Sequence, residues 1–587
     1  MKQLVLISTI AFLFIFVTLF YLLSDFKKIP PTLYFNANII TINDYQPKAD
    51  AMYVVGGRID QIGTLKELNI LTDASIDRID MEGVTIMPGF IDVHTHFALS
   101  MFLARMHDLS GFKYSNNEGV WSSFKEIVSS TADNEWIVCK GIDPILIEDL
   151  EPPTRQYLDQ VSPQNPVIIL SQSLHSYWAN SKAFELAGIS KETLDASDHS
   201  YYEKDPNGEL TGLIVEQEAF KPFAELLMNQ VLTTKVLRKA SGEVMKAYAK
   251  NGNTTIVSTG LSITDKKPLI LLKHLSNQSP TLLGGLLEKL GQLPERQPMP
   301  RHFVYMRHDM PHLLPEKRNP PNDFYDVIGT KHWYDGSPYI GSMYMERPYL
   351  DTALTTDILD ISAGSQESAL VAKENLKNYI REHHQNGWQI AIHTQGDAAI
   401  NEVVGAFSEM DQELDFSQSR HRLEHCLMLP RSVLDQMKHL NLSPSFHINH
   451  LYYYGDALNT EILGHERTEN ILPLNAAYEH DLNITLHADQ PMFESVPFRL
   501  IQTAVERKTN GGNVIGENEK IELMQAIKAV TINAAWQIHK EDKIGSLEKG
   551  KYADFIVLEQ DPLKVPIDEI GTIQCLETYI NGNKVDY

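Results

Sequence analysis

The chain has 587 residues, 43% of them hydrophobic, which is enough to fill a large enzyme core and excludes a disordered chain. Its 51 Lys and Arg face 76 Asp and Glu, for a formal net charge of −25, so the surface repels phosphate backbones and no nucleic-acid partner is expected. Cys139, Cys426 and Cys575 lie far apart with no C-x-x-C pair, which excludes a disulfide framework and a thiolate zinc site.

From Leu4 to Leu23 the chain carries no charge and is long enough to cross a bilayer as a helix. Bulky residues run on into Ser24-Asp25-Phe26-Lys27-Lys28 with no small-residue cleavage site. Residues 1–30 are therefore expected to form an uncleaved N-terminal transmembrane helix. Lys2 is matched by Lys27 and Lys28, so lysine bias barely decides the orientation. The likeness to an export signal favours an extracytoplasmic catalytic domain, periplasmic in a Gram-negative bacterium.

Strand-like runs follow at Leu33–Ile42 and Ala51–Gly63, the second broken by the hairpin signal Gly56-Gly57. The C-terminus has the same character at Asp554–Leu558 and Thr578–Val585. Neither end has enough strands to bury a face alone, so residues 31–84 and 543–587 are expected to build one small β-sandwich. Between them, residues 85–542 alternate short apolar runs with helical stretches, the pattern of an α/β, TIM-like (β/α)8 barrel. The candidate strands are Thr85–Val93, Thr254–Ser258, Phe303–Met306, Val327–Lys331, Gln389–His393, His421–His425, Leu442–Phe446 and Ile484–Asp489. The long gap after the first holds further strand candidates at Trp136–Lys140 and Val167–Leu170, and reads as an inserted α/β subdomain at about 101–240.

The polar residues at strand ends carry the chemistry. Residues two apart on a strand share a face, so Asp92, His94 and His96 point one way and two imidazoles can grip one ion. His393 follows Gln389 and Ala391 on one face while Ile390 and Ile392 take the other. After it Gly396 permits a turn, and Asp397 is expected to cap the next helix. His421–His425 ends another strand, and Thr485, His487 and Asp489 line one face of the last. Any one of these could be a satisfied core polar group. Together, all at strand ends, they mark a site at the C-terminal rim of a barrel.

The segments MPGFIDVHTH to His96, HTQGDAAI from His393, HRLEH to His425 and HADQP around Asp489 resemble the amidohydrolase superfamily. More narrowly, HSYWANSKAFELAGI from His175, GELTGLIVEQEA around Glu216, TKHWYDGSPYIGS around Lys331 and GSLEKGKYADFIVL from Gly545 resemble amidohydrolase family 3, the group containing N-substituted formamide deformylases. The resemblance implies that His94, His96 and Asp489 bind one metal, that His393 and His425 bind a second, and that Lys331 bridges both after carboxylation. Nitrogen and oxygen ligands suit Zn²⁺, two per chain. It also implies hydrolysis of a small molecule's C–N bond, amide or N-formyl, with Asp489 as general base and then acid. His175 and Glu216 are placed near the site by the family pattern, and Tyr334 and His447 are further candidates for substrate contact. Arg420, Arg422 and Glu424 are expected to orient the strand around His425, and Tyr452-Tyr453-Tyr454 to pack or to wall a pocket. A deaminase or a lactone/ester hydrolase would use the same centre, and a non-catalytic sensor or regulatory barrel is the reading from another class. A homodimer is compatible with everything above.

Overall fold

In the computed structural model, residues 12–19, 30–71, 76–147, 149–197, 200–263, 266–276, 282–314, 318 and 321–587 are described. Eight parallel strands form the central sheet: β1 (Phe90–Thr95), β2 (Asn253–Leu261), β3 (Arg301–Arg307), β4 (Tyr325–Trp333), β5 (Gln389–Thr394), β6 (Arg422–His425), β7 (Ser443–Phe446) and β8 (Thr485–Leu486). They pair in sequence order, β1 through β8, as a nearly closed barrel. The remaining seam, between β8 and β1, is bridged just past the strand ends. There Asp489 N donates to His94 O at 3.1 Å and His96 N donates to Gln490 O at 2.6 Å.

The expected first strand, Thr85–Val93, is two strands. Thr85–Pro88 pairs with Phe555–Leu558 and Thr32–Ile40 in a separate sheet, and β1 starts at Phe90. The joint is Gly89, because a Cβ there would stand 2.1 Å from Thr254 Cγ2. That separate sheet has eight strands and joins both chain ends, from Thr32–Ile40 to Asn583–Lys584. Gly56 and Gly57 make its hairpin turn at φ of 58° and 81°. Buried Arg301 ties it to β3: Nε and Nη2 donate to Asp554 Oδ2 and Oδ1 at 2.5 and 3.0 Å, with the Phe324 and Tyr552 rings each 4.1 Å from the guanidinium.

A six-stranded sheet from His107–Asp108 to Leu210–Val215 lies between β1 and β2 in the chain. It packs Tyr177, Phe184, Phe220 and Phe223 into its own core cluster.

The outer helix Asp397–Met410 shows how local sequence serves the rim. Ala399, Ile400, Val403, Val404, Phe407 and Met410 recur at helical spacing and are buried. Asp397 is not its cap. The carboxylate at this turn comes from Asp335, which accepts from Gln395 N at 2.9 Å and Gly396 N at 2.8 Å. Gly396 is needed because a Cβ would meet Tyr344 O at 1.8 Å.

The transmembrane helix and the membrane-anchored, extracytoplasmic placement drawn from it are corrected. No helix among the described residues is long and apolar enough to cross a membrane. Of Leu4–Leu23, residues 12–19 are described, and they are helical. The rest of that segment lies outside the described residues.

Candidate metal centre

The rim ends of β1, β5, β6, β7 and β8 deliver a cluster of buried imidazoles around one carboxylate. Asp489 Oδ1 lies 3.0 Å from His96 Nε2 and 3.6 Å from His94 Nε2, while Oδ2 lies 3.8 Å from His447 Nδ1 and 3.9 Å from His425 Nδ1. Burial alone would raise the Asp489 carboxyl, but His94, His96 and His447 outweigh it and hold it well below the usual carboxylate range. Burial, helped by Lys331, drives His94 and His393 the other way, His393 to about 3, so their lone pairs are free for a cation. Burial and the neighbouring imidazole of His393 do the same for His425.

His94 is oriented from behind. Its Nδ1–H donates to Glu424 Oε2 at 2.5 Å, which turns Nε2 toward Asp489. Glu424 is itself gripped by Arg422, Nη2 to Oε2 at 2.9 Å and Nε to Oε1 at 2.8 Å, and all three side chains are almost fully buried. Asp92 supports the same turn, accepting from His94 N at 3.1 Å and from Ser495 Oγ at 2.5 Å. Burial pushes its carboxyl up to about 7.

Lys331, on β4, is fully buried, and its Nζ has no hydrogen-bond partner. Burial lowers the amine to about 8, and its charge is felt at His94, His393 and His425. An amine without a hydrogen-bond partner among the described residues, buried beside the imidazoles, fits a lysine that would carry a carbamate, whose anionic oxygens would face cations. His393 donates Nε2–H to Gly336 O at 3.3 Å and its ring sits 4.3 Å from that of His425.

Three groups have nitrogen or oxygen atoms within 4.8 Å of one another: His94, His96 and Asp489; His94, His425 and His487; and His425, His447 and His450. The first is the set implied for one metal. His487 and His450 were not assigned from the sequence. His487 stood on the same strand face as Asp489, and it stacks on His94 at 4.7 Å. His450 is three residues beyond His447 on the following helix.

The four candidate substrate contacts separate. His447 is in the cluster. Tyr334 turns away, its hydroxyl donating to Glu402 on the outer helix. His175 and Glu216 pair with each other, Nδ1 to Oε1 at 2.8 Å, in the inserted region, and none of their hydrogen bonds reaches the cluster. Glu216 holds φ of 67°, a conformation that costs a non-glycine residue about 1–3 kcal/mol. Arg420 bonds Trp536 O and Glu541, away from the cluster. Of the three tyrosines, Tyr453 stacks on Phe493 at 5.0 Å, and both line a cavity of about 550 Å³ behind the Gln490–Pro491 turn.

The amidohydrolase family model matches residues 77–586. This chain belongs to the amidohydrolase family. An amidohydrolase by that measure, it is 24% identical over 547 residues to the N-substituted formamide deformylase of Arthrobacter pascens, covering 93% of this chain and 96% of the relative. It is 24% identical to the putative amidohydrolase YtcJ of Bacillus subtilis, over 93% of this chain and 98% of that one. A solved structure described as an uncharacterized metal-dependent hydrolase from Pyrococcus horikoshii has the same fold, with a TM-score of 0.68 at 20% identity, covering 92% of this chain and 99% of the other.

Proposed function

We propose that this amidohydrolase hydrolyses an amide or N-formyl C–N bond of a small molecule at a centre that holds two Zn²⁺ or similar divalent cations. The observation that carries the reading is Asp489, a buried, ionised carboxylate with one oxygen 3.0 Å from His96 Nε2 and the other facing His425 and His447. His94, His96 and Asp489 would hold one cation and His393 and His425 the other, and Lys331, once carboxylated, would serve both. Bound there, the cations supply Lewis acidity, polarising a carbonyl and making water a nucleophile near neutral pH.

The protein's residues do the rest. Glu424 holds His94 in one tautomer, and burial disfavours the protonated form of His94, His393 and His425. As water adds to the carbonyl carbon and its C–O bond forms, Asp489 takes a proton from it. As the C–N bond breaks, its electron pair goes to nitrogen and Asp489 returns that proton, so the amine leaves neutral. The A. pascens relative, whose name describes a formamide substrate, favours this bond over a ring amine or a lactone.

The test is a panel of N-substituted formamides, N-acyl amino acids, lactones and aminated rings, run on protein whose metal content has been measured. Turnover of formamides or amides supports the reading. Turnover confined to lactones or aminated rings replaces it, and a protein with neither metal nor activity after zinc addition removes it.

A further inference from the structure

The helix Asn449–Ala457 follows β7, and its first turn carries His450, which is 4% exposed and belongs to neither the ligand set nor the substrate contacts proposed above. Its Nδ1 lies 2.6 Å from the Tyr339 hydroxyl. That hydroxyl has no other hydrogen-bond partner among the described residues. With Tyr339 as the donor, the phenol's one hydrogen is used and Nδ1 accepts. A neutral imidazole with its Nδ1 lone pair engaged carries its hydrogen on Nε2. In His450 that Nε2 is buried and has no partner among the described residues. A nitrogen of His450 lies within 4.8 Å of nitrogens of both His425 and His447. His450, with that donor unused, thus stands at the edge of the candidate metal centre.

Its orientation is built in from the inserted region. The Tyr339 ring packs 4.1 Å from that of Tyr454, whose hydroxyl donates to Asp143 Oδ2 at 2.7 Å. Asp143 follows the strand Ile137–Ile142 of the inserted sheet. Asp143 and Tyr454 brace Tyr339, and Tyr339 sets the tautomer of His450.

We infer that His450 is a catalytic residue that donates its Nε2–H to the substrate's carbonyl oxygen and to the oxyanion that oxygen becomes, with Tyr339 as its positioning residue. The proton stays on Nε2 throughout. A fixed donor in a site this buried strengthens as negative charge develops on its acceptor, which makes it selective for the transition state over the substrate. The inference rests on the acyl-transfer reading above.

The experiment compares metal-loaded wild type with His450→Gln, His450→Leu and Tyr339→Phe. The readouts are metal content, calorimetric binding of inorganic phosphate as a tetrahedral anion, and kcat and KM on whichever C–N substrate the panel yields. Metal content is expected to stay at the wild-type value in all three. His450→Gln, whose amide N–H replaces the donor, should bind phosphate within about threefold of wild type. His450→Leu should bind it about tenfold more weakly or worse and lose about 10²–10³ in kcat with little change in KM. Tyr339→Phe, which frees Nδ1 to take the hydrogen, should fall between them. Equal phosphate binding by wild type and His450→Leu overturns the inference, as does wild type that binds no phosphate. Loss of metal from the His450 variants overturns it too, by making His450 a ligand. If His450→Leu does not fold, Tyr339→Phe decides: weaker phosphate binding supports the inference and unchanged binding overturns it. Phosphate binding needs no turnover, so a panel without a substrate strikes the proposed reaction and leaves the donor's readout standing.

Discussion

Glu424→Gln isolates the support behind the metal ligands from the ligands themselves. In the native site, Oε2 accepts from His94 Nδ1 at 2.5 Å and Arg422 Nη2 at 2.9 Å, while Oε1 lies 2.8 Å from Arg422 Nε. Glutamine is the same size but replaces one acceptor by an NH₂. With its oxygen toward His94, its amide hydrogens confront Arg422 Nε; reversed, they confront His94. Either way one charge-assisted contact is lost and a buried donor is stranded, at about 1.5–3 kcal/mol. A weaker hold on His94 Nδ1 lowers the basicity of Nε2 and loosens its aim, and loss of such a partner costs about 10- to 100-fold in metal affinity. Zinc titration against a chromophoric chelator reads the affinity, and urea unfolding of the apo protein reads the stability. Activity should be low at limiting zinc and recover substantially in excess zinc, because Asp489 is untouched. Wild-type zinc affinity in Glu424→Gln would refute the reasoning that His94 is oriented through Nδ1.

Asp489→Asn should keep the fold and a substantial part of the metal but lose about 10²–10⁴ in kcat, checked by metal analysis beside steady-state rates. An active Asn variant refutes the base assignment. Lys331→Met, close in shape but unable to carry a carbamate, should fold at least as well as wild type, since it removes a buried amine with no partner. Elemental analysis should show it retaining less metal per chain. Gly89→Ala should destabilise by about 1–3 kcal/mol or more in thermal or urea unfolding, since its methyl would stand 2.1 Å from Thr254 Cγ2. Activity per folded molecule should change little.

Period-two alternation made the barrel strands legible, because a polar residue breaking an apolar run at a strand end has few reasons to be there. His393, His425 and Asp489 stood out by falling together at strand ends, each alone being readable as a core polar group. Alternation does not say where one sheet stops and another starts. Ile86–Ile91 is apolar throughout, and the contact of Gly89 with Thr254 divides it. Nor does it reach past a strand end: Tyr334 follows the last residue of β4, and the chain has already turned it toward Glu402. Glu424 was readable as a residue that orients, but its partner His94 is 330 positions away. His450 depends on Tyr339, 111 positions off, and no local pattern encodes that pair.

The seam of the barrel gives the centre a second consequence. Elsewhere neighbouring strands pair along ladders, but β1 and β8 meet through the short stretch where Asp489 N bonds His94 O and His96 N bonds Gln490 O. The same three residues, His94, His96 and Asp489, form one candidate cation set. A cation there would be a rivet between the first and last staves. Closing the barrel and completing that set would then be one event, which waits until β8, nearly five hundred residues into the chain, has come back to β1.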